Sequence, residues 1–159
     1  MPQKAVKAVP EGMHTITPHL WFNGDCAAAL EVYDKAFGAT LIGPVNTGPE
    51  GKGIMHALLP IGDSRIMVAD AWPGSWEAGP TSAATAGLFL YVDDCDAVFE
   101  RAVAAGCEVI DPLMDAFWGD RMGKLKDPFG HTWAIATHIL DLTPAEIHSR
   151  EQEWLATLG

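Results

Sequence analysis

The chain has 159 residues, 48% of them hydrophobic, which is enough for one domain core or for two half-size modules. Ten basic residues against 21 acidic ones leave a formal net charge of -11, a surface that repels nucleic-acid backbones and anionic lipid and leaves small molecules and proteins as expected partners. Cys26, Cys95 and Cys107 include no C-x-x-C pair, which argues against a disulfide framework or zinc clip; no apolar run approaches the ~18 residues of a membrane span, so a cytoplasmic protein is expected.

Residues 1–13 hold two prolines and no continuous apolar run, and read as an N-terminal extension. A first module is expected over 14–71. It opens with a strand over Thr15 to Phe22, whose Ile16, Leu20, Trp21 and Phe22 suit burial on both faces. Asp25 is placed to cap a helix in which Cys26, Leu30, Tyr33 and Phe37 recur at helical spacing, and Gly38 is placed to end it. A strand over Thr40 to Val45 and a turn-rich loop over 46–53 follow, then a hairpin of Ile54 to Pro60 and Arg65 to Ala71. Residues 72–86, with Trp72 and Trp76 among prolines and glycines, read as a connecting segment able to form a lid or a dimer contact.

A second module over 87–139 repeats the first about 70 residues later. Leu88 to Val92 is strand-like, Asp93-Asp94 starts a helix through Val98, Phe99, Ala102 and Val103, and Gly106 precedes another apolar stretch. The last strands are expected at Lys124 to Lys126 and His131 to Ile139, joined by the Asp127-Pro128-Phe129-Gly130 turn. Residues 140–159 hold a tail helix: Thr143-Pro144-Ala145-Glu146 is a capping box with proline at the first helical position. Each module has an apolar sheet face that it cannot bury alone, so the twin halves are expected to pack and leave a ligand cleft.

With Glu31-Val32-Tyr33-Asp34-Lys35-Ala36-Phe37-Gly38 and Asp127-Pro128-Phe129-Gly130-His131 placed on this duplicated frame, residues 13–137 resemble the vicinal oxygen chelate superfamily, the group of glyoxalases, bleomycin-resistance proteins and ring-cleaving dioxygenases. The segment Phe117-Trp118-Gly119-Asp120-Arg121, with Gly123-Lys124 and the downstream turn, is similar to its PhnB-like subgroup. The resemblance implies an α+β fold in which two βαβββ modules form an incomplete eight-stranded barrel, with the C-terminal helix added here, and commonly a homodimer. It also implies a divalent metal held from four strand positions, which fall at or near Pro18, Met67, Gly87 and Ala134. None of these side chains donates to a hard or borderline metal. A one-residue shift of the first strand would put His19 in place of Pro18, but one ligand is not a site, and the expectation is no metal or other cofactor.

The candidate site residues each carry a functional and a structural reading. Trp118 suits stacking on a planar ligand and Arg121 an anionic group, with Phe22 and Phe117 at the cleft edges; alternatively Asp120 and Arg121 pair with each other in a turn. His131 either donates to a ligand or serves the turn backbone. His56 is a candidate acid or base or a core histidine, and His138 a candidate base at the cleft rim. Ala134, Ala136 and His138 share one strand face and leave room for a bulky ligand. The leading expectation is a metal-free protein that binds a small aromatic or amphipathic molecule, with the acidic surface favouring a cationic one. The alternatives are a superfamily enzyme of lyase, isomerase or dioxygenase type, using an unrecognised metal cluster or a histidine base, and a regulatory or protein-interaction module. No G-x-S-x-G elbow, phosphate loop or S-adenosylmethionine-type glycine loop is present.

Overall fold

A computed structural model describes residues 2–158, and the chain divides into two compact units with the boundary between Pro80 and Thr81. In the first, strand β1 (His19–Phe22), helix α1 (Cys26–Phe37), and strands β2 (Ile42–Thr47), β3 (Ile54–Ile61) and β4 (Ser64–Asp70) follow in chain order, with a 3-10 turn at Pro49–Gly51. Their sheet order is β1-β4-β3-β2, with β1 parallel to β4. The second unit repeats this arrangement with β5 (Gly87–Tyr91), α2 (Cys95–Ala104), β6 (Glu108–Asp115), β7 (Asp120–Lys126) and β8 (Thr132–His138), in sheet order β5-β8-β7-β6, and ends in α3 (Pro144–Ala156). The α+β class, the two βαβββ modules and the C-terminal helix are those expected.

Each crossover helix is anchored by the last residues of its sheet. In the first unit Asp70, at the end of β4, is buried and accepts the backbone N–H groups of Gly24, Cys26 and Ile54 at 3.0, 3.0 and 2.8 Å. At the matching place in the second unit, Thr137 Oγ1 accepts the Cys95 N–H at 2.9 Å and donates to the Val92 carbonyl at 2.8 Å. These contacts fix which sheet face the helix covers. Alternation then puts Val68, Ile66, Ile135 and Gly123 on the helix side, and Met67, Ala69, Ala134 and Ala136 on the open side. Gly123 is small because α2 lies directly on it: a Cβ there would come 2.5 Å from Phe99 Cε2 and 3.0 Å from the Asp111 carbonyl oxygen.

Local signals set the helix ends, except that the cap expected from Asp25 does not form. Gly38 ends α1 in the left-handed region at φ 65°, closing the Asp34 and Tyr33 carbonyls. Asp94 caps α2 by accepting the Ala97 N–H, whereas Asp25 makes no side-chain cap to α1. Thr143 and Glu146 form the reciprocal capping box at α3.

Three strand expectations are corrected. The first strand is only four residues, and His19 on it is exposed, because β1 is a sheet edge and enters through Pro18. Strand β2 begins later than expected and runs to Thr47, into the residues assigned to a loop. Strand β7 begins at Asp120 rather than Lys124. Its charged residues hide the alternation, since Lys124 and Lys126 pair across the ladder with Asp111 and Glu108 at 3.0 and 2.8 Å.

Candidate functional site

The open face of the second sheet gathers the chain's most concentrated chemistry. In register, Phe89, Ala134 and Lys124 form one row, Tyr91, Ala136 and Met122 the next, and His138 with Asp120 the last. Ala134 and Ala136 in the middle of the face are buried with Met122 and Ala116, while Phe89 and Tyr91, 49% and 59% exposed, stand along its edge with ring centroids 5.0 Å apart. A depression of about 230 Å³ runs between Phe89, Lys124 and Ala134. A second, open one of about 550 Å³ is bordered by Tyr91, Asp93 and His138.

Asp120 sits at the head of this face and is only 1% exposed. Its Oδ2 accepts Tyr91 Oη–H and Trp118 Nε1–H, each at 2.8 Å, and its Oδ1 lies 2.7 Å from His138 Nδ1. Burial opposes its charge, but the hydrogen bonds from His138, Tyr91 and Trp118 outweigh burial and hold the carboxyl below the usual range. The same carboxylate raises the pKa of His138, helped by Asp141, whose Oδ1 is 3.1 Å from Nε2; modest burial of the ring works the other way. It also raises that of Tyr91, first through their hydrogen bond. The loop that carries Trp118 is held by the strand end, because the Gly119 carbonyl accepts the N–H groups of Ile139 and Leu140.

The expected site residues separate. Trp118, Asp120 and His138 come together. Arg121 does not join them: as the next strand residue it points to the helix side, where it holds Asp96 at 2.7 Å and Asp115 at 3.1 Å. The Asp120–Arg121 pair, offered as the alternative, therefore does not form, and the turn is Ala116 to Gly119, closed by Gly119 N–H on the Ala116 carbonyl at 3.1 Å. Phe117 packs on Trp154 of α3, with centroids 5.6 Å apart. Phe22, expected at a cleft edge, is 1% exposed and faces Tyr33 in the core, as the helix-side position in its register requires. His131 is set by its turn, its N–H bound to Asp127 Oδ1 at 2.9 Å.

His56 lies on the open face of the first sheet. That face carries His19 stacked on Trp21 at 4.1 Å, and the register puts Ala69 between Trp21 and His56. Burial, then the nearby His56, lowers the pKa of His19, against a smaller opposing pull from Glu77.

The resemblance implies a metal held at or near Pro18, Met67, Gly87 and Ala134, and the register shows which residues pair there. His19, not Pro18, stands beside Met67, while Phe89, not Gly87, stands beside Ala134. Only His19 of these four donates well to a divalent ion. Among the described residues no three His, Cys, Asp or Glu side chains are grouped to hold a metal. The donor set therefore does not fit the superfamily's usual ion. The three cysteines are buried and free, and burial pushes the thiols of Cys26 and Cys107 up to about 12 and about 11.

Sequence reasoning missed Phe89, Tyr91 and Asp141. The run Leu88-Phe89-Leu90-Tyr91-Val92 is apolar throughout and looks buried on both sides; the available signal was its equivalence with His19 and Trp21 in the first module. Asp141 gave none, since it reaches His138 from beyond the strand.

The family model described as the Glyoxalase/Bleomycin resistance protein/Dioxygenase superfamily matches residues 14–135. The chain belongs to this superfamily. A relative from Mycobacterium tuberculosis strain H37Rv, "Uncharacterized protein Rv0887c", is 39% identical over 139 residues, covering 84% of this chain and 80% of that one. The solved structure of protein PA1353 from Pseudomonas aeruginosa is 29% identical, with a TM-score of 0.63 over 80% of this chain and 99% of that one. A PhnB protein from Bacillus cereus has the same TM-score at 20% identity, covering 78% and 99% of the two chains, a likeness of fold alone. No helix among the described residues of this superfamily member is long and apolar enough to cross a membrane.

Proposed function

We propose that this superfamily member binds a small aromatic or amphipathic molecule without a metal, on the open face of the second sheet. One observation carries the reading: Phe89 and Tyr91 stand exposed in ring contact along the edge of the face, beside a depression that reaches Ala134. Solvent-facing aromatic pairs cost free energy in water and recover it when a planar or apolar body covers them. A polar group able to fix orientation stands at the end of the same face in His138, whose ring the buried Asp120 holds. Of the residues first singled out, Phe22 and Arg121 are given no ligand contact.

The test is a thermal-shift and calorimetric screen of aromatic and amphipathic compounds, run in chelator and again with divalent ions. Hits that persist in chelator and weaken in Phe89→Ala and Tyr91→Ala support the reading. Binding that requires a metal, or protein prepared without a histidine tag that carries a stoichiometric metal, overturns it.

A second reading rests on the His138–Asp120 pair. A buried carboxylate that orients an imidazole is the arrangement used for proton transfer, so an enzyme with His138 as base is the alternative. Among the described residues no carboxylate is hydrogen-bonded to His56, and His138 is the stronger candidate. Turnover of a bound compound that is lost in His138→Gln and shows a pH dependence set by this group would favour it.

A further inference from the structure

The exposed carboxylate of Asp141 occupies the outer nitrogen of His138. Nδ1 of that ring is committed to the buried Asp120, while Nε2 faces outward and meets Asp141 Oδ1 at 3.1 Å. Asp141 is fully exposed and belongs to the segment between β8 and α3, so little packing holds it there. It shows which chemistry the Nε2 position accepts: a carboxylate, beside an imidazole already backed by another.

The aromatic edge lies at ligand distance from this nitrogen. Tyr91 is level with Ala136, one row from His138, which is about 7 Å along the strand, and Phe89 is one row further. Tyr91 and His138 border the same open depression. A carboxyl group joined directly, or through one carbon, to a one- or two-ring aromatic body spans that interval.

We propose that this face takes an aromatic carboxylate, its rings on the exposed Tyr91 and Phe89, and its carboxylate in place of Asp141 at His138 Nε2. The proposal rests on the small-molecule reading above and narrows it to a ligand class. The ligand carboxylate takes over the contact that Asp141 makes with the ring, and the displaced Asp141 charge turns into solvent, where it is screened, so the buried Asp120 does not veto an anionic ligand. The net charge of -11 favours cations at long range, but exposed charges beyond about 8 Å are largely screened at physiological ionic strength, and the groups in contact decide. Both carboxylates bonded to His138 favour its protonated form, which is the form that donates to an anion at Nε2. Asp141 is then an internal competitor, and its removal frees the nitrogen.

The experiment compares 2-naphthoate with its uncharged twin 2-naphthamide by calorimetry, on wild type, Asp141→Asn and His138→Gln. Expected are a preference for the carboxylate of about tenfold in wild type, the scale of one charge-assisted hydrogen bond; a larger preference in Asp141→Asn; and none in His138→Gln. Equal affinity for the two probes in wild type, or unchanged or weaker naphthoate binding in Asp141→Asn, overturns the proposal while naphthamide binding leaves the small-molecule reading standing. Failure of both probes on every variant overturns the proposal, and the broader screen in chelator then decides the small-molecule reading by itself. Asp141→Asn alters an exposed side chain, so the comparison survives even where His138→Gln does not fold.

Discussion

His138 Nδ1 stands 2.7 Å from Asp120 Oδ1, directly across the β7–β8 ladder, and the pair joins a half-exposed ring to a fully buried carboxylate. The coupling gives each group a pH signature of opposite sense. The His138 pKa is raised on folding, so its contribution to stability is complete below its unfolded value near 6.5 and is lost as pH rises through the folded value above that. The Asp120 pKa is lowered, so its contribution is complete above 3.8 and is lost as pH falls through the lower folded value. Stability from the pair is therefore greatest between these limits. Denaturation across pH 3–8 should show the fall on the alkaline side weakened in His138→Gln, and proton NMR should show the His138 pKa dropping toward 6.5 in Asp120→Asn. A His138 titration that ignores the Asp120 substitution contradicts the pairing.

Asp120→Ala removes the shared acceptor of Tyr91 and Trp118 as well as of His138. Leaving such donors without their partner costs about 1–3 kcal/mol each when they stay buried, and less where water reaches them. Urea denaturation should give a loss of about 2 kcal/mol or more, with a change in Trp118 fluorescence.

The two helix anchors should differ in weight. Asp70 is buried and holds three backbone N–H groups, whereas Thr137 accepts one and donates one. Asp70→Ala should cost about 3 kcal/mol or more, and Thr137→Ala about 1–2 kcal/mol, both read as shifts in the urea midpoint. Equal losses would show that the equivalent positions carry equal loads.

Gly123→Ala should destabilise by about 1–3 kcal/mol, since the added methyl meets Phe99 at 2.5 Å and backbone at 3.0 Å. A neutral result in denaturant would mean that α2 shifts freely on its sheet.

All three thiols should resist a thiol-specific chromophoric reagent in the native protein and react together on unfolding. Burial raises the pKa of Cys26 to about 12 and that of Cys107 to about 11, so little thiolate exists at neutral pH. Rapid native labelling would refute this.

The duplication was legible as a repeated pattern, and most helix ends were legible because their signals are local: Asp94, Gly38 and the Thr143–Glu146 box act within one turn of chain, whereas Asp25 makes no cap. The sequence also placed Ala134, Ala136 and His138 on one face, since a strand's period of two survives any packing. Strand ends were less legible. At β1 the edge position replaced the expected two-sided burial, and at β7 cross-strand ion pairs concealed the alternation. Partnership between side chains emerged only in the folded molecule. Phe22 turned to the core and Arg121 to the helix side because sheet register, a long-range property, assigns faces. Tyr91, Trp118, Asp120, His138 and Asp141 became one network because three strands and two loops converge there; spacing along the chain carries no record of a hydrogen bond made across a sheet.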